Sequence, residues 1–123
     1  MGAGMQTVIE PAEEPAVGST SQHRSPCCSL YHHAVELVGK RWTGAILLVL
    51  MDGPLRFCEI RELVPDVSDR LLSERLKELE AEDVVARRVY DETPVRVEYS
   101  LTPKGQALKP ALTALKSWSH TYC

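Results

Sequence analysis

The sequence has no excess of basic residues and no long apolar run. Its 123 residues carry 14 Lys and Arg against 17 Asp and Glu, which gives a formal net charge of -3. Overall charge therefore does not indicate a nucleic-acid partner, and any such contact must come from local basic patches. The longest apolar run, residues 45–51, is far too short to span a bilayer, and no basic segment precedes an apolar stretch of signal-peptide type. We therefore predict a cytoplasmic protein that makes no membrane contact.

Catalytic motifs are also missing from the sequence. It contains no phosphate-binding glycine loop and no nucleophile elbow, and a thiol enzyme would depend on Cys28 and His32 alone. We therefore predict that the chain is not an enzyme and needs no cofactor.

The composition divides the chain into a tail and one domain. Residues 1–26 contain three prolines among Gly, Ser, Thr and Glu, and no aromatic residue. Such a segment cannot bury enough apolar surface to become ordered, so we predict a flexible tail over 1–26. The near-neutral remainder, 27–123, is long enough for one small domain.

The first half of this domain has the pattern of successive helices. Ser25 as cap and Pro26 at the first helical position predict a first helix that ends at Gly39. Residues 42–51 predict a second helix, which the Asp-Gly-Pro turn at 52–54 ends.

The second half has the pattern of helix, turn, helix and hairpin. Residues 57–63 predict a short helix with Phe57, Ile60 and Leu63 facing inward, and Ser68 caps a longer one that extends through Glu82. Two β-branched, alternating segments, 84–90 and 95–101, predict a hairpin that apolar residues, Val89 among them, hold to the body of the domain. Thr102 then caps a last helix with an apolar face. The predicted fold is mainly α (α+β), a winged helix-turn-helix.

The helix that Ser68 caps has one polar face. With its leucines buried, Arg70, Ser73 and Lys77 lie on the solvent side, where they are candidates for the major groove, although such a face is also ordinary for any surface helix. Arg75 lies at the edge of the buried stripe. For Arg75 we expect an ion pair with an acid such as Glu78 or Glu62 at least as much as a phosphate contact.

Two further basic patches are candidates for contacts with DNA. Arg87, Arg88 and Arg96 concentrate guanidinium groups on the hairpin, where they can meet phosphates or serve only to protect a sheet edge. Lys40 and Arg41, at the start of the second helix, either anchor a phosphate or form a simple surface pair.

Four segments together resemble one family, the HxlR family of bacterial winged-helix transcription regulators. They are GKRW at residues 39–42, MDGPLRFCEI at 51–60, SDRLLSERLKELE at 68–80 and TPVRVEYSLTPKG at 93–105. They agree with the family in order and spacing over Cys28 to about Trp118. One departure is Asp83, where the family commonly has glycine, but aspartate tolerates the left-handed backbone expected there.

This resemblance implies a homodimer, usually a repressor, that binds a pseudo-palindromic operator on double-stranded DNA. The N-terminal and C-terminal helices would build the dimer interface. The helix with Ser68, Arg70, Ser73 and Lys77 would enter the major groove, and the hairpin would form the wing.

The cysteines suggest a thiol sensor. The chain has four cysteines and no CxxC motif, which argues against a disulfide framework in the cytoplasm. Cys27 and Cys28 are expected in the first helical turn, where the helix dipole favours the thiolate. Some members of the resembling family sense oxidants or quinone and aldehyde electrophiles through a cysteine at the Cys28 position. We therefore predict that Cys28 is the sensor, which an electrophile alkylates or an oxidant joins to Cys123 of the partner subunit in a dimer; Cys58 is expected to be a small apolar filler.

Three alternatives remain at this stage. In the first, Cys28 and Cys123 are inert thiols. In the second, a metal sensor is formed by the cluster of Cys27, Cys28, His32 and His33. The usual two-residue spacing between ligands is missing from this cluster, however, and we predict no metal site. In the third, the winged helix binds only protein.

Overall fold

The computed structural model describes residues 26–123. Its elements, in chain order, are α1 (Ser29–Val38), α2 (Thr43–Leu50), α3 (Phe57–Leu63), α4 (Asp69–Ala81), β1 (Val85–Tyr90), β2 (Arg96–Leu101), α5 (Pro103–Gln106) and α6 (Lys109–Tyr122). The mainly α (α+β) class is confirmed. Residues from Val35 onward form one compact unit, and those up to Ala34 cluster separately. The predicted tail over 1–26 lies outside the described residues except for Pro26.

The core of the compact unit forms where α2, α3 and α4 each bury one apolar face. Ile46, Ile60 and Leu72 are completely buried, and Leu112 of α6 adds to the same cluster. α2 is apolar nearly all round, as expected for a helix that other elements surround. The amphipathic α4 instead buries only one stripe and leaves its opposite face in solvent.

The hairpin packs against this core at its base. β1 and β2 pair antiparallel with Val85 opposite Leu101, and both of these residues are buried. Leu55 adds a short bridge to Tyr99 just before α3 begins. The hairpin tip is exposed: Val89, predicted to hold the hairpin to the body, is 52% exposed, so that prediction is wrong.

The start of α1 differs from the prediction. The helix begins at Ser29 rather than at Pro26, so Cys27 and Cys28 precede its first turn. Cys28 occupies the capping position, where its carbonyl oxygen accepts a hydrogen bond from the His32 N–H at 3.0 Å. Ser25, the predicted cap, lies outside the described residues.

The predicted last helix is divided into α5 and α6. Thr102 caps α5 as expected, and its hydroxyl accepts a hydrogen bond from the Gly105 N–H. Pro110 has no N–H to donate to the carbonyl of Gln106, and its ring clashes with that carbonyl in a continuous helix. The chain therefore turns at residues 107–108 before α6 begins.

Two smaller differences concern side-chain burial in α3. Leu63, predicted to face inward, is 57% exposed, and Cys58, predicted to fill the core, is also exposed. Ile60 alone among the α3 residues is buried. Cys58 lies two residues from Ile60, on the opposite side of the helix.

Replacing Gly105 with alanine is expected to destabilise the fold by about 1–3 kcal/mol, because the added methyl group overpacks a tight contact. A Cβ at this position would lie 2.2 Å from the carbonyl oxygen of Val84, and that backbone atom cannot rotate away. Thermal unfolding followed by circular dichroism measures the effect. Gly44→Ala is the matched control, since a Cβ there meets nothing within 4 Å and should maintain or raise the melting temperature. An unchanged melting temperature for Gly105→Ala would show that the contact is not restrictive.

Candidate nucleic-acid interface and thiol site

α4 presents a regular polar face because its ends and its buried side are both well defined. The Ser68 hydroxyl accepts a hydrogen bond from the Leu71 N–H at 3.1 Å, and Leu72, Leu76 and Leu79 are buried, as predicted. The helix ends before Asp83, whose φ of 60° is the left-handed conformation expected at that position.

The three groove candidates differ in how freely they can reach a partner. The Arg70 side chain is 90% exposed and makes one i,i+4 ion pair with Glu74, at 3.3 Å. An ion pair this exposed holds the guanidinium only weakly. Lys77 is exposed and Ser73 is half-buried. All three lie on the α4 face opposite the leucines, where a helix would contact base edges.

Ion pairs and a cap at α3 were not predicted from the sequence. Arg61 contacts Asp69 at 3.0 Å and thereby ties α3 to the first turn of α4. Glu59 accepts a hydrogen bond from the backbone N–H of Arg56 at 2.8 Å, which closes a capping box at the start of α3. A glutamate three residues after the cap position was the available signal for the second feature.

Arg75 is held inside a network, and the predicted ion pair with Glu78 is confirmed at 3.3 Å. Its Nε also donates to the backbone carbonyl oxygen of Arg41 at 3.0 Å, and its side chain is only 16% exposed. The Glu78 carboxylate also contacts Lys40 at 3.2 Å. The network joins α4 to the turn that precedes α2.

Lys40 and Arg41 lie in this turn rather than in the first turn of α2, which begins at Thr43. The carboxylate of Glu78 balances the charge of Lys40, whereas the exposed guanidinium of Arg41 lies 5.0 Å from the Trp42 ring. Their role as a phosphate anchor stays a prediction. Trp42 itself is outside α2 and has a φ of 76°, the left-handed region.

The wing arginines fall into two groups. Arg87 and Arg88 are exposed, and Arg88 lies 4.9 Å from the ring of Tyr90. Arg96 lies 3.9 Å from the same ring. Both guanidinium groups thus lean on one aromatic ring, in a contact typical of cation–π pairs.

Arg96 differs because two carboxylates balance its charge. It contacts Glu92 at 2.9 Å and Glu98 at 2.6 Å. The hydrogen bond that Arg96 donates to the Glu92 carboxylate, reinforced by the nearby negative charges, raises the pKa of the Arg96 guanidinium further above its usual value. Whether Arg96 contacts DNA stays a prediction, but its geometry is that of a group that shapes the wing.

Cys28 is an exposed thiol whose local backbone favours the thiolate. The N–H groups of Tyr31 and then Leu30 hydrogen-bond to its sulfur and lower the pKa of the thiol below its usual value, against a weaker opposing effect of desolvation. A lowered pKa was expected from a place inside the first helical turn, whereas Cys28 lies at the position before that turn. All four cysteines are free and exposed, including Cys123 at the chain end.

Two helices carry apolar side chains that nothing in the described part of the chain covers. On α6, Leu115 is 62% and Trp118 is 55% exposed, and the Trp118 ring lies 5.5 Å from that of Tyr122. On α1, Leu30 and Tyr31 are also exposed. These are the two helices that the sequence analysis expected at a dimer interface.

Neither a metal site nor a membrane span is found in the part of the chain that the structure describes. Over residues 26–123, no group of three or more His, Cys, Asp or Glu side chains could hold a metal ion. No helix among these residues is both long and apolar enough to cross a membrane.

Comparison with known sequences finds one family. The sequence profile of the HxlR-like helix-turn-helix family matches residues 37–123. The HTH-type transcriptional regulator YodB of Bacillus subtilis (strain 168) is 49% identical over 96 residues, which cover 78% of this chain and 86% of YodB. YvaP of the same organism, an uncharacterised HTH-type transcriptional regulator, is 50% identical over 97 residues, or 79% of this chain and 90% of YvaP.

Comparison with solved structures finds the same kind of protein. The reduced form of YodB from B. subtilis superposes with a TM-score of 0.71 and 48% identity, over 80% of this chain and 96% of that one. YodB has also been solved after diamide treatment and with bound quinone. The redox regulator HypR, in its oxidised form, superposes with a TM-score of 0.73 and 35% identity, over 76% of this chain and 97% of that one. The winged helix fold of this chain is thereby confirmed.

Proposed function

The chain belongs to the family of HxlR-like helix-turn-helix transcriptional regulators, and we propose that it is a homodimeric repressor. Its affinity for DNA responds to oxidants or electrophiles through Cys28. The observation that carries the thiol part is the exposed Cys28 sulfur, which two backbone N–H groups stabilise as a thiolate. The similar protein YodB has been solved in diamide-treated and quinone-bound forms, and HypR in an oxidised form, which supports oxidants and electrophiles as the signal.

The DNA contacts are assigned from exposure and position. In this proposal α4 enters the major groove, with Ser68 at its N-terminus and Arg70, Ser73 and Lys77 towards the base edges. Arg87 and Arg88 contact phosphates or the minor groove beside the wing, and Arg96 holds the wing in shape through Glu92 and Glu98.

The second subunit covers the exposed apolar faces of α1 and α6. A two-fold dimer places two copies of α4 on one side, so the operator should be a pseudo-palindrome with half-sites one or two helical turns apart. Modification of Cys28, by an electrophile or by a disulfide to Cys123 of a second copy, then changes the angle between the two α4 helices.

A gel shift against the upstream region of the chain's own coding sequence tests the proposal. The reduced protein should form a specific complex that weakens steeply with salt, since neutralised phosphates release counterions. Adding diamide or a quinone should lower the affinity. A regulator without thiol sensing would bind equally well before and after treatment, whereas a module that binds only protein would form no salt-sensitive complex with any DNA selected from random sequences.

Two arginine substitutions should weaken DNA binding in different ways. Arg70→Ala should lower operator affinity by roughly 5–150-fold, about 1–3 kcal/mol, and relax base preference at one position of each half-site. Arg88→Ala should weaken binding to all sequences alike and reduce the salt slope by about 1 per subunit. Fluorescence anisotropy titrations at several salt concentrations, on the operator and on scrambled DNA, measure both. Arg61→Ala is the control, because Arg61 is paired with Asp69 and is not assigned to DNA. Equal losses on both DNAs for Arg70→Ala would remove it from base recognition.

A further inference from the structure

We propose that Arg75 is a positioning residue that fastens the turn between α1 and α2 to the recognition helix α4, so that the two move together when Cys28 is modified. The inference rests on the proposed function for its signal. It concerns the turn at residues 39–42, which we call the hinge turn.

Two kinds of contact converge on the hinge turn from α4. Arg75 donates from Nε to the Arg41 carbonyl oxygen at 3.0 Å. Glu78 contacts Arg75 at 3.3 Å on its own helix and Lys40 across the gap at 3.2 Å. Arg75 thus holds the backbone of the hinge turn at Arg41, and Glu78 holds its Lys40 side chain.

The burial of Arg75 makes this anchor rigid. Its side chain is 16% exposed, whereas that of Arg70 on the same helix is 90% exposed. A guanidinium that is largely out of water loses more than an exposed one when a partner leaves, because water replaces the lost hydrogen bond less well. Arg75 therefore strongly favours keeping its hydrogen bond to the Arg41 carbonyl oxygen.

The hinge turn is itself strained and tight. Trp42 adopts a φ of 76°, a conformation that is costly for a residue with a Cβ and that persists only when its surroundings impose it. At the start of the turn, a Cβ at Gly39 would lie 2.6 Å from the backbone oxygen of Val35, so the turn passes closely against the end of α1. Strained backbone of this kind is typical of switch regions.

These observations give the hinge turn a mechanical role. α1 begins at Ser29, directly after Cys28, and ends at Val38, directly before the hinge turn, so a change that shifts α1 acts on the turn through the chain itself. The hinge turn holds α4 through the Arg75 bond to Arg41 and the ion pair of Lys40 with Glu78. Loss of these contacts would let Trp42 relax and would free α4 to reorient independently of α1.

The test compares operator affinity in the reduced and diamide-treated forms of the full chain. In wild type the ratio of the two dissociation constants measures how strongly the thiol and the DNA site are coupled. In Arg75→Met, which retains the alkyl packing but loses the bonds to the Arg41 carbonyl and to Glu78, this ratio should be at least about fivefold smaller. Glu78→Gln, which weakens only the ion pairs and leaves the bond to Arg41, should give an intermediate ratio.

Arg61→Met is the matched control. It also removes an arginine that pairs with an acid of α4, at Asp69, but it lies away from the hinge turn. Its ratio should equal that of wild type. An Arg75→Met ratio equal to that of wild type would overturn the proposal, as would an equal decrease in both arginine variants.

Hydrogen exchange provides a readout that does not depend on the thiol. The N–H groups of Thr43 and Ile46 bond to the carbonyl oxygens of Lys40 and Trp42, so their exchange rates report opening of the hinge turn. Because coupling is reciprocal, operator binding should slow their exchange in wild type and not in Arg75→Met. If wild type shows this protection but no response to diamide, the thiol sensor fails and the positioning role of Arg75 stands. If diamide acts in both proteins alike and the protection survives in Arg75→Met, the sensor stands and the positioning role fails.

Discussion

Serine in place of Cys28 is expected to abolish the response of DNA binding to oxidants while leaving the reduced protein intact. Serine is among the best helix-capping residues, and Cys28 occupies the capping position of α1. The substitution therefore maintains or improves the local structure and removes only the thiol chemistry. A coupling of the usual size, roughly 5–150-fold in operator affinity for wild type, should fall to no change in Cys28→Ser.

The chemistry of the disulfide branch can be followed on a gel. Diamide takes two electrons and two protons from two thiols, is reduced to its hydrazine, and leaves an S–S bond. If Cys28 and Cys123 of a second copy supply these thiols, diamide should produce a reducible species at twice the chain mass of 13.7 kDa. Cys28→Ser and Cys123→Ser should each abolish this band, whereas Cys58→Ser should not.

Alkylation separates the two ways in which Cys28 can act. The reactive form of a thiol is the thiolate, which is lost as the pH falls through the pKa. Because the pKa of Cys28 is lowered, its alkylation by iodoacetamide should level off at a lower pH than that of free cysteine. If Cys123→Ser retains the response to quinone but not the gel band, an adduct at Cys28 alone is sufficient. A Cys28→Ser protein that still responds to both reagents would refute the sensor.

Glutamate in place of Leu115 is expected to dissociate the dimer and thereby to abolish nearly all operator binding. Leu115 is 62% exposed within its own chain, so a charged side chain costs the isolated subunit little. At a dimer interface the same substitution loses about 1.5–3 kcal/mol of apolar burial per subunit, and the unpaired carboxylate must in addition be desolvated. Both subunits carry the change, so the dimer dissociation constant should rise at least about 100-fold.

Sedimentation and operator titration together measure this effect. Leu115→Glu should sediment as a monomer at concentrations where wild type is a dimer, with an unchanged circular dichroism spectrum. Operator affinity should fall because a monomer binds only one half-site. Ser117→Glu adds the same charge to an exposed position on the opposite side of α6 and should remain a dimer. A dimeric Leu115→Glu would place the interface elsewhere.

Much of the fold followed from short-range patterns in the sequence. Capping residues such as Ser68 and Thr102 were correctly predicted at the starts of α4 and α5. The hairpin, the leucine stripe of α4 and the left-handed Asp83 were also correctly predicted. Each of these depends on residues within about one turn or one strand of each other, where side-chain spacing and backbone preference decide the result.

The errors arose where a nearby competitor was overlooked. α1 starts at Ser29, after Cys28, rather than at Pro26, and the predicted last helix is divided because Pro110 lacks an N–H. Both signals were present in the sequence. Which helix start forms, and whether the last helix breaks, depended on which local structure the rest of the chain made more stable.

The sequence by itself determined the winged helix-turn-helix, the polar face of α4 and the basic wing, because periodicity and caps act between neighbours in the chain. Only the tertiary structure decided that Lys40 pairs with Glu78, that Arg75 bonds to the Arg41 carbonyl, and that Trp42 is held in a left-handed conformation. The Arg75 contact joins residues 34 positions apart, and its strength depends on burial that no local pattern encodes. Residues that supply the chemistry can thus be read from the chain, whereas the contacts that couple them exist only after it has folded.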